Sequence, residues 1–207
     1  MSATTMPANA PAQSLPRSVP GPAPRRWTLT EYRDLAKAGL LNGLRTILID
    51  GEVLVMPQPG TPHDTALTAA YEFLRASCPA DHYVRNQQSF NVGTKHDPGP
   101  DLAVVPGGFR DYTHQAPTSA LLIVEVADTS LALDTTTKAE LYATAGVPEY
   151  WVIDLEHRQL IAFRDPQPLP KGLGATAYKT HLTFGPGDTV SPLAAPQASI
   201  RVSELLP

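Results

Sequence analysis

Apolar positions along the chain follow three spacings, each predicting a different kind of element. Arg45-Thr46-Ile47-Leu48-Ile49 and Val53-Leu54-Val55-Met56 are short β-prone runs flanking Asp50-Gly51. That pair readily takes the positive φ angles of a tight turn, so the segment predicts a β-hairpin. Leu67, Ala70, Tyr71 and Leu74 recur at helical spacing and predict a helix to about Ser77. Its expected start is a capping Thr61, with Pro62 at the first helical position and Asp64 three residues after the cap. Ala120-Leu121-Leu122-Ile123-Val124-Glu125-Val126-Ala127 is apolar without alternation, as in a central strand covered on both faces.

Weaker signals fill in the rest. Thr30 is the expected cap of a short helix carrying Tyr32, Leu35 and Ala36, ended by Gly39. Tyr83 to Val92 predicts one or two strands, and Asp101-Leu102-Ala103-Val104-Val105 another after a polar turn. A helix is expected from Asp134 through Lys138, Leu141 and Tyr142, with Gly146 as its stop and Pro148 barring continuation. Glu149–Asp154 and Gln159–Arg164 predict two further strands. Frequent Pro and Gly beyond Asp165 predict loops and edge pieces, with Ile200-Arg201-Val202 as a last strand. No internal repeat is visible.

Composition narrows the class. At 207 residues the chain suits one domain. Apolar and charged shares of 42% and 17% describe a globular protein able to bury a core. Residues 1–24, rich in Pro, Ala and Ser, read as a disordered tail, because Pro16, Pro20, Pro22 and Pro24 forbid a helix. The domain is then 25–207. Sixteen basic against 20 acidic residues give a net charge of −4, with no basic stripe for a strong nucleic-acid binder. A carboxylate-rich cleft can still recruit a divalent cation, which then attracts phosphate. Cys78, the single cysteine, leaves no intramolecular disulfide and fits a cytoplasmic protein. No apolar run reaches the roughly 20 residues of a membrane span.

Glu125 stands out, since a carboxylate inside so apolar a strand demands a cation or several hydrogen bonds. An Arg or Lys serves that need as well as a metal does. Asp101 alone is equally a turn residue after Gly99-Pro100. Together, at corresponding ends of adjacent strands, the two acids can coordinate Mg²⁺ or Mn²⁺ and leave positions for water and phosphate. Lys138 lies four residues after Asp134, and a solvated helical pair of that kind contributes only about 0.3–0.5 kcal/mol. His63, in the first turn of a helix, is expected to resist protonation because the helix dipole is positive there. His82, His96, His114 and His157 lack metal-site spacing.

Pro100-Asp101, then Ile-Val-Glu125-Val-Ala, then Asp134-x-x-x-Lys138-x-x-x-Tyr142, then Ala-Gly-Val-Pro-Glu-Tyr-Trp-Val-Ile-Asp154 resembles the bacterial Uma family of restriction endonucleases, in the PD-(D/E)XK superfamily. The likeness extends upstream to Ile49-Asp50-Gly51-Glu52 and His63. It implies an α/β, restriction-endonuclease-like mixed β-sheet flanked by helices, in a single domain. It further implies catalytic roles for Asp101, Glu125 and Lys138, with Glu52 and His63 as additional site residues. Otherwise Glu52 reads as an exposed turn residue and His63 as making a local polar contact. The superfamily lysine, two residues beyond the second acid, is Ala127 here, and the resemblance places its replacement at Lys138. Mg²⁺ (or Mn²⁺) is the implied cofactor, held by Asp101, Glu125 and the Val126 carbonyl. Nucleic acid, DNA foremost, is the implied partner, and a homodimer is compatible with the family. The alternative is an inactive binding or regulatory module of the same fold.

Overall fold

Asp50 and Gly51 both adopt left-handed backbone angles, φ 46° and 73°, and so close the expected hairpin of β1 (Arg45–Ile49) and β2 (Glu52–Met56). The structure, a computed structural model, describes residues 23–169 and 176–207. All but the last two residues of the expected N-terminal tail lie outside the described residues.

Helix starts differ from expectation by one to three residues. In α1 (Leu29–Lys37) the cap is Thr28, not Thr30: Thr28 Oγ1 accepts the Glu31 N–H while the Glu31 carboxylate accepts the Thr28 N–H. This reciprocal box satisfies two donors at once, which Thr30 has no partner to do. In α2 (Thr61–Ser77) the cap is Gly60, and Thr61 is already helical. Of the expected stripe, Leu67, Ala70 and Leu74 are buried and Tyr71 is partly buried, while Ala66 joins them.

Six strands form the main sheet in the order β3 (His82–Asn86), β4 (Leu102–Pro106), β5 (Leu122–Ala127), β6 (Glu149–Asp154), β7 (Gln159–Pro168) and β8 (Thr176–Phe184). Only β5 and β6 run parallel, as a crossover connection requires. The crossover consists of α3 (Leu131–Leu133), a π-helical turn over Asp134–Lys138, and α4 (Ala139–Thr144). The helix thus begins before Asp134, while Gly146, at φ 75°, stands at its end as expected.

Every residue of β5 is buried. Leu122, Val124 and Val126 join the cluster under α2, whereas Ile123 and Ala127 join the one under α4. Alternation therefore turns Glu125 toward the crossover. β8 and the outer end of β7 occupy a region where loops and edge pieces were expected, and β8 is a nine-residue edge strand. Pro166 and Pro168 argue against a strand, yet both pair with β8, and Tyr178 anchors the hairpin against Tyr150 and Phe163. The expected last strand survives as β10 (Ile200–Arg201), paired with β9 (Thr189–Val190) in a small separate sheet. No helix among the described residues is long and apolar enough to cross a membrane.

Candidate active site

The β4–β5 ladder ends at Leu102 opposite Val124. One register step further, Asp101 faces Glu125 where the two strands part. Asp101 Oδ2 accepts the Val126 N–H at 2.9 Å and lies 3.2 Å from His63 Nε2. Its other oxygen is 3.4 Å from Gln87 Nε2 and 3.6 Å from the Arg45 guanidinium. Burial pushes this carboxyl up, but the His63 hydrogen bond and charge and the Val126 N–H outweigh it and hold Asp101 below its usual range.

Glu125 has a different environment. Because the β5–β6 crossover folds back over the sheet, Lys138 Nζ comes within 2.9 Å of Glu125 Oε1, and the Tyr142 hydroxyl donates to the same oxygen at 2.7 Å. Glu125 Oε2 has no hydrogen-bond donor among the described residues. Burial, with the Asp134 and Asp101 charges adding to it against the opposing Lys138, pushes Glu125 up to about 8. Burial works against the Lys138 charge, but the Glu125 and Asp134 carboxylates prevail and raise its pKa, so Lys138 remains an ammonium.

The Asp134–Lys138 pair, which its helical spacing alone would equally place in solvent, is buried. Asp134 Oδ1 lies 3.1 Å from Lys138 Nζ, and both residues are at most 4% exposed, because the π turn presses this helix side onto the sheet. Ser130 Oγ donates to Asp134 Oδ2 and the Tyr150 hydroxyl to the Asp134 carbonyl, so the lysine's second partner is itself fixed. Tyr142, one helical turn beyond Lys138, bonds to the Glu125 carboxylate as the lysine does.

His63 corrects an expectation. The Asp101 hydrogen bond raises its pKa despite burial, so its protonated form is favoured rather than resisted. Its Nδ1 is buried without a hydrogen-bond partner, 3.7 Å from an Asp64 oxygen. Glu52 lies apart: it is half exposed at the hairpin turn and pairs with Arg26 at 2.6 Å, outside the Asp101–Glu125–Lys138 group. Asp134, Arg45 and Gln87 adjoin the group without having been singled out in the sequence. The only available hint was the helical spacing of Asp134 to Lys138.

The described residues contain no cluster of three or more His, Cys, Asp or Glu able to hold a cation. Two carboxylates and a carbonyl nevertheless suit Mg²⁺, which keeps several waters and takes ligands from substrate phosphate rather than from an all-protein cage. N–H and C=O of one strand residue point to the same edge, so the Val126 carbonyl faces the Asp101 side. A narrow cleft lined by Arg45, Gln58, His63, Val126 and Ser130 opens here. It shares Arg45, Gln58 and Pro59 with a neighbouring cleft of about 320 Å³. A larger cleft, about 520 Å³, is lined by Thr135, Thr136, Glu140, Tyr178 and His181 and does not include His63; none of these three clefts is lined by Asp101, Glu125 or Lys138.

The sequence profile of the Uma2 family, described as "Putative restriction endonuclease", matches residues 29–203. Among solved structures, the chain is similar to a crystal structure of "a putative nuclease belonging to DUF820" from Anabaena variabilis ATCC 29413. The TM-score is 0.66 at 16% identity, covering 86% of this chain and 96% of the other. At that identity the likeness establishes the fold. No curated protein matches the chain.

Proposed function

We propose, since the chain belongs to the Uma2 family, that it is a metal-dependent endonuclease hydrolysing phosphodiester bonds in nucleic acid, DNA foremost. The observation that carries this reading is the meeting of Asp101 and Glu125 where β4 and β5 part, with Lys138 against Glu125. Asp101, Glu125 and the Val126 carbonyl would hold Mg²⁺ or Mn²⁺, which when bound polarises the phosphate and acidifies water.

The chain's own groups do the rest. His63 and the Val126 N–H fix one oxygen of Asp101. Lys138 and Tyr142 fix Glu125 Oε1 and leave Oε2 free for a ligand. The Lys138 ammonium, held between Glu125 and Asp134, steadies the attacking water and the negative charge that develops on the phosphate. Burial strengthens each of these interactions, since little water screens them.

One observation favours a non-catalytic module instead: Glu125 is already engaged by Lys138 and Tyr142 and holds its proton up to about 8. Incubating the purified protein with plasmid, single-stranded DNA and RNA, with and without Mg²⁺ or Mn²⁺, separates the two. Cleavage that requires metal and stops in EDTA is expected. Tight nucleic-acid binding with all three substrates intact would favour the module.

A further inference from the structure

We infer that Arg45 and Gln87 form a phosphate-binding subsite beside the hydrolytic centre, seating a phosphodiester next to the one cleaved. This rests on the nuclease reading and adds to it the residues that grip the polyanion.

Arg45 is the one Arg or Lys lining either of the two clefts that reach His63 and Gln87, the side chains that bond to Asp101, among the described residues. A chain of net charge −4, with two carboxylates at its centre, needs such a group where a polyanion enters. The Arg45 guanidinium stands 3.6 Å from Asp101 Oδ1, beyond good hydrogen-bond length, and its side chain is about one-third exposed at 32%. Its planar fork is therefore anchored near the centre yet open to a second oxyanion, and phosphate fits it. Gln58 and Pro59, which lead into α2, line both clefts beside it, so the positive end of a 17-residue helix adjoins them.

Gln87 supplies an independent observation. It lies in the cleft of about 320 Å³ and holds a left-handed backbone, φ 49°. That conformation is uncommon for a residue other than glycine. Its N–H donates to the Asp101 carbonyl at 2.8 Å, and its side-chain amide reaches toward Asp101 Oδ1. A strained residue at the rim of a site points to a job for its side chain. Here the amide can donate a hydrogen bond to a phosphate oxygen beside the Arg45 fork.

The test is fluorescence anisotropy of a short labelled oligonucleotide, single-stranded and duplex, with Ca²⁺ in place of Mg²⁺, repeated over a salt series. Arg45→Met is expected to weaken binding about tenfold. It should also lower the slope of log affinity against log salt by about 0.7 to 0.9, the share of one phosphate contact. A merely structural loss would not move that slope. Arg45→Lys should keep the slope and lose less affinity. Gln87→Gly, which relieves the backbone, should melt no lower than wild type yet bind more weakly. An unchanged slope in Arg45→Met, or full affinity in Gln87→Gly, overturns the subsite. If the slope falls but no protein cleaves, the subsite stands and hydrolysis does not. If the wild type cleaves and Arg45→Met keeps its slope, hydrolysis stands and the subsite does not. A wild type that binds no oligonucleotide overturns both.

Discussion

Lys138 Nζ lies 2.9 Å from Glu125 Oε1, and the two side chains are at most 5% exposed. Lys138→Met keeps the length of the side chain but leaves Glu125 and Asp134 without their shared cation. The expected cost is about 3 kcal/mol, the scale for removing one partner of a buried pair. In acid, Glu125, pushed up to about 8, holds its proton and the penalty should shrink. Urea unfolding of wild type and variant at about pH 4 and pH 8 checks this, and an exposed pair would cost only about 0.5 kcal/mol at either pH.

Stability of the metal-free protein should fall as pH rises from about 5 to about 8. Glu125, pushed up to about 8, binds its proton more tightly folded than unfolded. Its contribution is present in acid and lost as pH rises through the folded value. His63 acts in the same direction, because its raised pKa adds stability below its unfolded value and loses it above the folded one. Asp101, held low, has the opposite sign but acts only in stronger acid. Glu125→Gln should flatten the curve over this window, and His63→Gln should flatten it in part. A wild-type curve that is level or rising across the window would contradict these assignments.

Mg²⁺ affinity should rise with pH through about 8, since a ligand carboxylate must first lose its proton. Asp101→Asn and Glu125→Gln should each weaken binding in calorimetry while remaining folded, because each removes one anionic ligand and nearly conserves shape. Equal affinities in all three proteins would remove both residues from the metal site.

Tyr142→Phe removes the hydroxyl that donates to Glu125 and keeps the ring beside Tyr150. The lost hydrogen bond should cost about 1 kcal/mol. Without that donor the Glu125 carboxylate is less favoured, so Mg²⁺ affinity near pH 7 should drop and recover at higher pH. A loss of affinity that is the same at both pH values would assign Tyr142 to packing alone.

Asp50-Gly51, the unbroken apolar run of β5 and the acid within it were legible because each is a local pattern with a local physical cause. Family likeness further grouped Asp101, Glu125 and Lys138 by order along the chain. What the sequence concealed is three-dimensional. Asp134 four residues before Lys138 looks the same whether the pair is solvated or pressed onto a sheet, and only the crossover path makes it buried. Thr30 and Thr61 are good caps by type, yet the reciprocal Thr28–Glu31 bonds and Gly60 took those places. β8 reads as a loop or a mere edge piece because an edge strand needs few buried residues, and Tyr178 is the buried one. The left-handed turn at Gln87 and the reach of Arg45 toward Asp101 have no signature in sequence spacing.

The central claim is that Asp101, Glu125 and Lys138 act together as a hydrolytic centre, and the most direct measurement is the initial rate of plasmid nicking at saturating Mg²⁺. Wild type, Glu125→Gln and Lys138→Met are compared, each verified as folded, with metal affinity measured in parallel. Glu125→Gln should lose both metal affinity and cleavage. Lys138→Met, with its metal site filled at saturating Mg²⁺, should still lose on the order of 100-fold or more in rate, the scale for removing a positioned electrostatic stabiliser. Wild-type cleavage matched by Lys138→Met would contradict the account and return the lysine to a structural role beside Glu125.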